Sequence, residues 1–220
     1  AVLNRQFDAA YMLLKLGADP NSKDAFGGYP LLYAAAFNDY PMADLLLFYG
    51  ASDTVRDEEG NDPLLTAVVR DHIETCDVLL QNGLDVNSRN DLGESALIIA
   101  AQKGDSRLTR LLLEYDADIE LTDQRNMTPL AHAVNRGRKQ IVRILADSGA
   151  NVNHYIDKRH NIMDLARKRG EKDIQSILAG KGAKPDPRPA FSEINIAWGN
   201  SFIKGDHFMQ ARLGLVDNKY

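Results

Sequence analysis

The chain repeats itself every 33 residues without a slip, and few folds accept such a chain. One apolar column reads Leu13, Leu46, Leu79, Leu112, Leu145, Leu178, and the column before it reads Met12, Leu45, Val78, Leu111, Ile144, Ile177. A small-residue column reads Ala34, Ala67, Ala100, Ala133, Ala166, and a glycine column reads Gly17, Gly50, Gly83, Asp116, Gly149, Gly182. A unit this short cannot bury two apolar faces by itself. Copies at constant spacing must therefore stack, each burying its neighbour, as in a one-dimensional array.

The columns also say what each unit is. Tyr29, Asp62, Ser95, Thr128 and Asn161 stand where a first helix would begin, and all but Tyr29 carry the short oxygen acceptors that suit an N-cap. Pro30, Pro63 and Pro129 follow directly, at the first helical position, where a missing N–H costs nothing. The alanine column then allows a neighbouring helix to approach closely. A turn is predicted at Asn38-Asp39, Asp71-His72, Gly104-Asp105, Gly137-Arg138 and Gly170-Glu171, followed by a second helix that carries the leucines. That helix closes at the glycine column, where a left-handed residue suits the C-terminal cap. Asp116 breaks this column, and a local cost rather than a broken repeat is expected there.

The stretches "DQRNMTPLAHAVNRGRKQIVRILADSGANVN" and "NDLGESALIIAAQKGDSRLTRLLLEYDADIE" carry a pattern that resembles the ankyrin repeat. The resemblance implies an all-α fold, a solenoid of stacked helix–turn–helix units with extended hairpin loops, over residues 1–183. A partial first copy spans 1–23, full copies begin at Asp24, Asp57, Asn90 and Asp123, and a C-terminal capping copy begins at Ile156. Leu32, Leu65, Ile98 and Ala131 occupy the position where the family usually has a histidine, so loops less rigid than in idealised members are expected.

Beyond the repeat, "KPDPRP" opens a proline-rich linker over 184–190, and residues 191–220 form a short non-repeat extension. Its alternating Ile194, Ile196 and Trp198 suggest an extended segment with one buried face. Some thirty residues are too few for a core of their own, on the order of what small domains need staples to stabilise. The extension is expected to pack on the array, burying Trp198, or to dock on a second chain; the protein is otherwise expected to be a monomer.

Composition bounds function more by exclusion. Apolar residues make up 44% and charged residues 26%, as in chains that fold in water, and no run is apolar and long enough to span a bilayer. The start, "AVLNRQFDAAYMLL", has no signal-peptide pattern and no initiator Met, which implies a trimmed chain. One cysteine, Cys76, excludes an intrachain disulfide and fits a reducing compartment such as the cytoplasm. No phosphate-cradling glycine loop, G-x-S-x-G or H-E-x-x-H occurs, so the reading is non-enzymatic, with no cofactor, metal or catalytic residues. His72 and Cys76 share a helical spacing, but the Cys76 column holds Ala10, Ala43, Thr109, Val142 and Gln175, which points to a buried small residue. Asp57-Glu58-Glu59 reads as a solvated loop tip.

Charge is unevenly spread. Residues 1–124 carry 9 Lys and Arg against 22 Asp and Glu, whereas residues 125–184 carry 13 against 5. Two basic blocks one period apart, Arg136, Arg138, Lys139, Arg143 and Arg167, Lys168, Arg169, Lys172, are expected to stack into a single patch. Nucleic acid is disfavoured, because the acidic end would repel a long polyanion.

In ankyrin arrays partners usually meet the loop tips and the exposed side of the first helices. Carried onto this chain, those positions give Phe26, Tyr33, Phe37, Glu59, Arg70, Leu92, Lys103, Arg125, Met127 and Arg136 as the expected partner-binding residues. The implied function is a protein–protein interaction module, an adaptor or scaffold; the alternative is an inhibitor or immunity-type protein that occludes a partner enzyme.

Overall fold

Helix starts in this chain are decided by short polar side chains. In the computed structural model, which describes residues 1–187, Asp62, Ser95, Thr128 and Asn161 each accept the backbone N–H three residues on, at 2.7, 3.4, 3.2 and 3.1 Å. Tyr29 makes no such bond, and the helix after it begins on Pro30 alone. Following a 3-10 turn at Val2–Asn4, the helices are α1 (Phe7–Lys15), α2 (Pro30–Ala36), α3 (Tyr40–Phe48), α4 (Pro63–Val69), α5 (Ile73–Gln81) and α6 (Ala96–Lys103). The series continues as α7 (Ser106–Glu114), α8 (Pro129–Asn135), α9 (Lys139–Asp147), α10 (Ile162–Lys168) and α11 (Lys172–Gly180).

Two rows result. The short helices α2, α4, α6, α8 and α10 stack side by side as an inner row, and α1, α3, α5, α7, α9 and α11 stack behind them as an outer row. The alanine column sits fully buried between inner helices, as its size requires. Leu46, Leu79, Leu112, Leu145 and Leu178 are likewise buried between the rows. Leu13, the same column in the first copy, is 50% exposed on α1, and Met12 beside it and Leu16 at the helix end are exposed as well.

Outer helices end as the glycine column predicts. At α5, the Gly83 N–H reaches the Leu80 carbonyl at 2.9 Å and the Leu84 N–H reaches Leu79 at 3.2 Å, a Schellman closure with Gly83 at φ 87°. At Asp116 the same closure forms: its N–H reaches the Leu113 carbonyl at 3.2 Å and the Ala117 N–H reaches Leu112 at 3.0 Å, with Asp116 at φ 58°. The repeat is intact there.

The outer loops are joined by a column the repeat pattern contains but whose role it does not announce. Asn21 accepts the Ser52 N–H at 2.7 Å, Asn87 accepts Asp118 at 2.8 Å, Glu120 accepts Asn151 at 2.7 Å and Asn153 accepts Lys184 at 2.9 Å. Each bond ties one copy to the next, so register between copies is held by side chains as well as by apolar packing. Lys184 is thereby fastened to the array, and Ala1–Pro185 form one compact unit. The expected packing of residues 191–220, with Trp198, lies outside the described residues.

Candidate protein-binding face

The hairpin tips between outer and inner helices begin with a carboxylate or amide that folds the chain around itself. Oδ1 of Asp24 accepts the N–H of Phe26 and of Gly28, both at 2.9 Å. Asp57 does the same for Glu59 and Asn61, Asn90 for Leu92 and Glu94, and Asp123 for Arg125 and Met127, at 2.8 to 3.0 Å. Asp157 holds Arg159 and His160 at 2.7 and 2.8 Å. These side-chain turns make each tip a closed loop.

In two copies the second carboxylate oxygen is bound from the inner helix, nine positions later in each case. Tyr33 donates its hydroxyl to Asp24 Oδ2 at 2.6 Å, and the His132 Nε2–H bonds Asp123 Oδ2 at 3.0 Å. The Tyr33 bond, with the Gly28 N–H, holds the Asp24 carboxyl below its usual range and raises the Tyr33 phenol. Burial alone would raise Asp123, but the N–H groups of Met127 and Arg125 and the His132 and Arg125 side chains outweigh it and lower it. Burial lowers His132 against the pull of Asp123, so the ring is neutral at pH 7 and donates as an imidazole. In these two copies the tip, expected to be slack, is tied to its inner helix. The family histidine is absent at Leu32 and Ala131, and the bond comes instead from the next residue, Tyr33 or His132.

Neighbouring tips are also laced together. The Asp91 N–H reaches the Glu59 carbonyl and the Gln124 N–H the Leu92 carbonyl, both at 3.3 Å, and Asn126 Nδ2 donates to Tyr155 O at 2.8 Å. Gly60 is obligatory in this lacing, because a Cβ there would run into the Asp91 side chain and backbone.

On this rigid frame the expected binding residues separate. Phe26 is 91% exposed at its tip, Leu92 61%, and Glu59, Arg70 and Arg136 are exposed as well. Phe37 is partly exposed at the end of α2, with its ring stacked on Tyr33 at 6.2 Å and 9°. Tyr33 is half-buried, its hydroxyl committed to Asp24 and its ring lying where a Gly28 Cβ would be. Arg125 is exposed, yet its guanidinium folds back on Asp123 through Nε and Nη2 at 3.1 and 3.0 Å. Lys103 pairs with Asp71 at 2.8 Å and donates to the carbonyl ends of α4 at Val68 and Val69. Met127 is a correction. It is only 8% exposed, because the Asp123 turn that carries Arg125 outward points the next-but-one side chain into the core.

The basic blocks also divide. Arg138 is drawn to the Gln102 carbonyl at 3.1 Å and Lys139 pairs with Asp173, whereas Arg136, Lys168 and Arg169 remain exposed without an ion-pair partner among the described residues. Cys76 is buried, its thiol pushed up to about 12 by that burial, and His72 Nδ1 lies 2.9 Å from the Ala35 carbonyl, so both are structural. Among the described residues no helix is long and apolar enough to cross a membrane.

A family model for ankyrin repeats, three copies long, matches residues 1–90 and 97–188. The chain belongs to the ankyrin repeat family. An ankyrin repeat domain from Acinetobacter baumannii AYE, solved at 1.00 Å, is similar with 27% identity and a TM-score of 0.79, over 84% of this chain and 96% of that one. Among curated proteins, none matches this ankyrin chain in sequence.

Proposed function

We propose that this ankyrin array is a non-enzymatic protein-binding module, an adaptor that holds its partner against the hairpin tips and the exposed ends of the inner helices. Ankyrin repeats as a family are protein–protein interaction modules, which supports the class of function. Phe26 carries the reading for this chain: a large aromatic ring, 91% exposed, on a tip whose backbone Asp24 already locks. Such a ring loses little freedom when a partner covers it, and aromatic anchors of this kind dominate interface energies. Leu92 and the stacked Phe37–Tyr33 pair extend the same face.

The test is site-specific photo-crosslinking in native extract. A photoreactive residue at Phe26 or Leu92 should trap one discrete partner, and one at Asp44 or Arg110 on the outer helices should not. Trapping confined to the outer-helix positions would sink the proposal.

A further inference from the structure

Each inner helix ends in a pair of side chains on the candidate face, and the pairs change character along the array. They run Ala36-Phe37, Val69-Arg70, Gln102-Lys103, Asn135-Arg136 and Lys168-Arg169. Helix C-termini favour a cation, which accounts for one basic residue per helix and nothing more. It does not account for the doubled Lys168-Arg169, which with Arg136 and Arg70 stand exposed without an ion-pair partner among the described residues, while Lys103 pairs with Asp71. Solvated surface charge is the plainer explanation, yet it predicts no order, and the order here runs from aromatic to basic.

Resting on the binding face proposed above, we infer that its partner is an extended protein segment with a bulky apolar anchor for Phe26 and Phe37 and a short acidic run for Arg136, Lys168 and Arg169. Spacing sets the separation. Inner helices pack about 10 Å apart, so Phe37 and Arg136, three units apart, are separated by roughly 30 Å. An extended chain advances about 3.3 Å per residue, which places the acidic run roughly nine residues from the anchor. The run has to be short. The tip carboxylates Glu58 and Glu59 and the acidic charge of residues 1–124 repel a negative chain that continues past the basic end. That limit separates an acidic peptide from a nucleic acid, whose charge does not stop.

The test selects peptides from a random display library on the full chain. Selected sequences are then synthesised with a fluorescent label and titrated by anisotropy against wild type, an Arg136→Glu/Arg169→Glu variant and Phe26→Ala. Circular dichroism and urea midpoints check that each variant folds. Enrichment of Asp and Glu at one end of the peptide and an apolar residue at the other is expected, with affinity lowered about tenfold or more by the charge reversal. Peptides without acidic residues, affinity untouched by the reversal, or no enrichment at all would overturn the inference. So would a labelled oligothymidylate that binds as tightly through the same residues. If Phe26→Ala weakens binding and the charge reversal does not, the acidic inference fails while the binding face stands. If neither matters and substitutions at Asp44 or Arg110 do, both fail.

Discussion

At Gly83 and Asp116 one backbone conformation is met by two residues of different aptitude. Both sit at positive φ, 87° and 58°, and both close a helix with the same two hydrogen bonds. A Cβ at Gly83 would meet nothing within 4 Å, so Gly83→Ala should cost only the left-handed strain, about 1 kcal/mol. Asp116→Gly should move the other way, gaining a few tenths to about 1 kcal/mol. Urea unfolding of the two variants beside wild type checks both signs. His132 gives a second test at this scale. Burial lowers its pKa from 6.5, so below pH 6.5 the unfolded chain takes up a proton that the folded chain resists. Its share of stability is complete above pH 6.5 and is lost as pH falls towards the folded value. His132→Gln keeps an N–H donor and does not titrate, so its urea midpoint should fall less than that of wild type between neutral pH and about pH 5.

At the scale of elements, the paired helices are too short to persist alone, and the burial between rows holds them. Leu79→Ala and Leu112→Ala should each cost about 2–5 kcal/mol, since both side chains are completely enclosed. A smaller loss at Leu178 is the natural expectation for an end copy, but Leu178 is buried as fully as the internal leucines. The cheap position is at the other end. Leu13→Ala, half exposed on α1, should cost well under half as much as Leu112→Ala. Equal losses at Leu13 and Leu112 in chemical denaturation would contradict this picture. The tips are elements too. Tyr33→Phe removes the hydroxyl bond to Asp24 and should cost about 1 kcal/mol. The change should appear as faster hydrogen exchange at the Phe26 and Gly28 amides, and unchanged exchange there would mean that Asp24 holds the tip unaided.

Across the array, charge runs from acidic to basic, with 22 acidic against 9 basic residues before residue 125 and 5 against 13 from there to residue 184. A partner that uses the basic end should bind more weakly as salt rises, because exposed charges are screened beyond roughly 10 Å at 0.1 M. Phe26→Ala should weaken binding by about 2 kcal/mol at every salt concentration, while Arg136→Glu should flatten the salt dependence itself. Titrations at a series of salt concentrations separate the two. A partner whose affinity ignores salt would bind without the basic end.

The period, the alanine and leucine columns, the caps at Asp62, Ser95, Thr128 and Asn161 and the glycine closures are local rules, each decided within a few residues, so they are legible in one dimension. The exposed positions of Phe26, Leu92 and Arg136 follow from the same register. Distance across the fold decided the rest. Whether a tip side chain points out depends on which N–H groups Asp123 collects, and that turn sends Arg125 to the surface and Met127 into the core. Whether a cation is free depends on what the neighbouring copy offers it: Gln102 O takes Arg138, Asp71 and the α4 carbonyls take Lys103, Asp173 takes Lys139, and nothing among the described residues takes Arg136. Those partners lie more than thirty positions away in the chain, brought within bonding distance only by stacking one copy on the next.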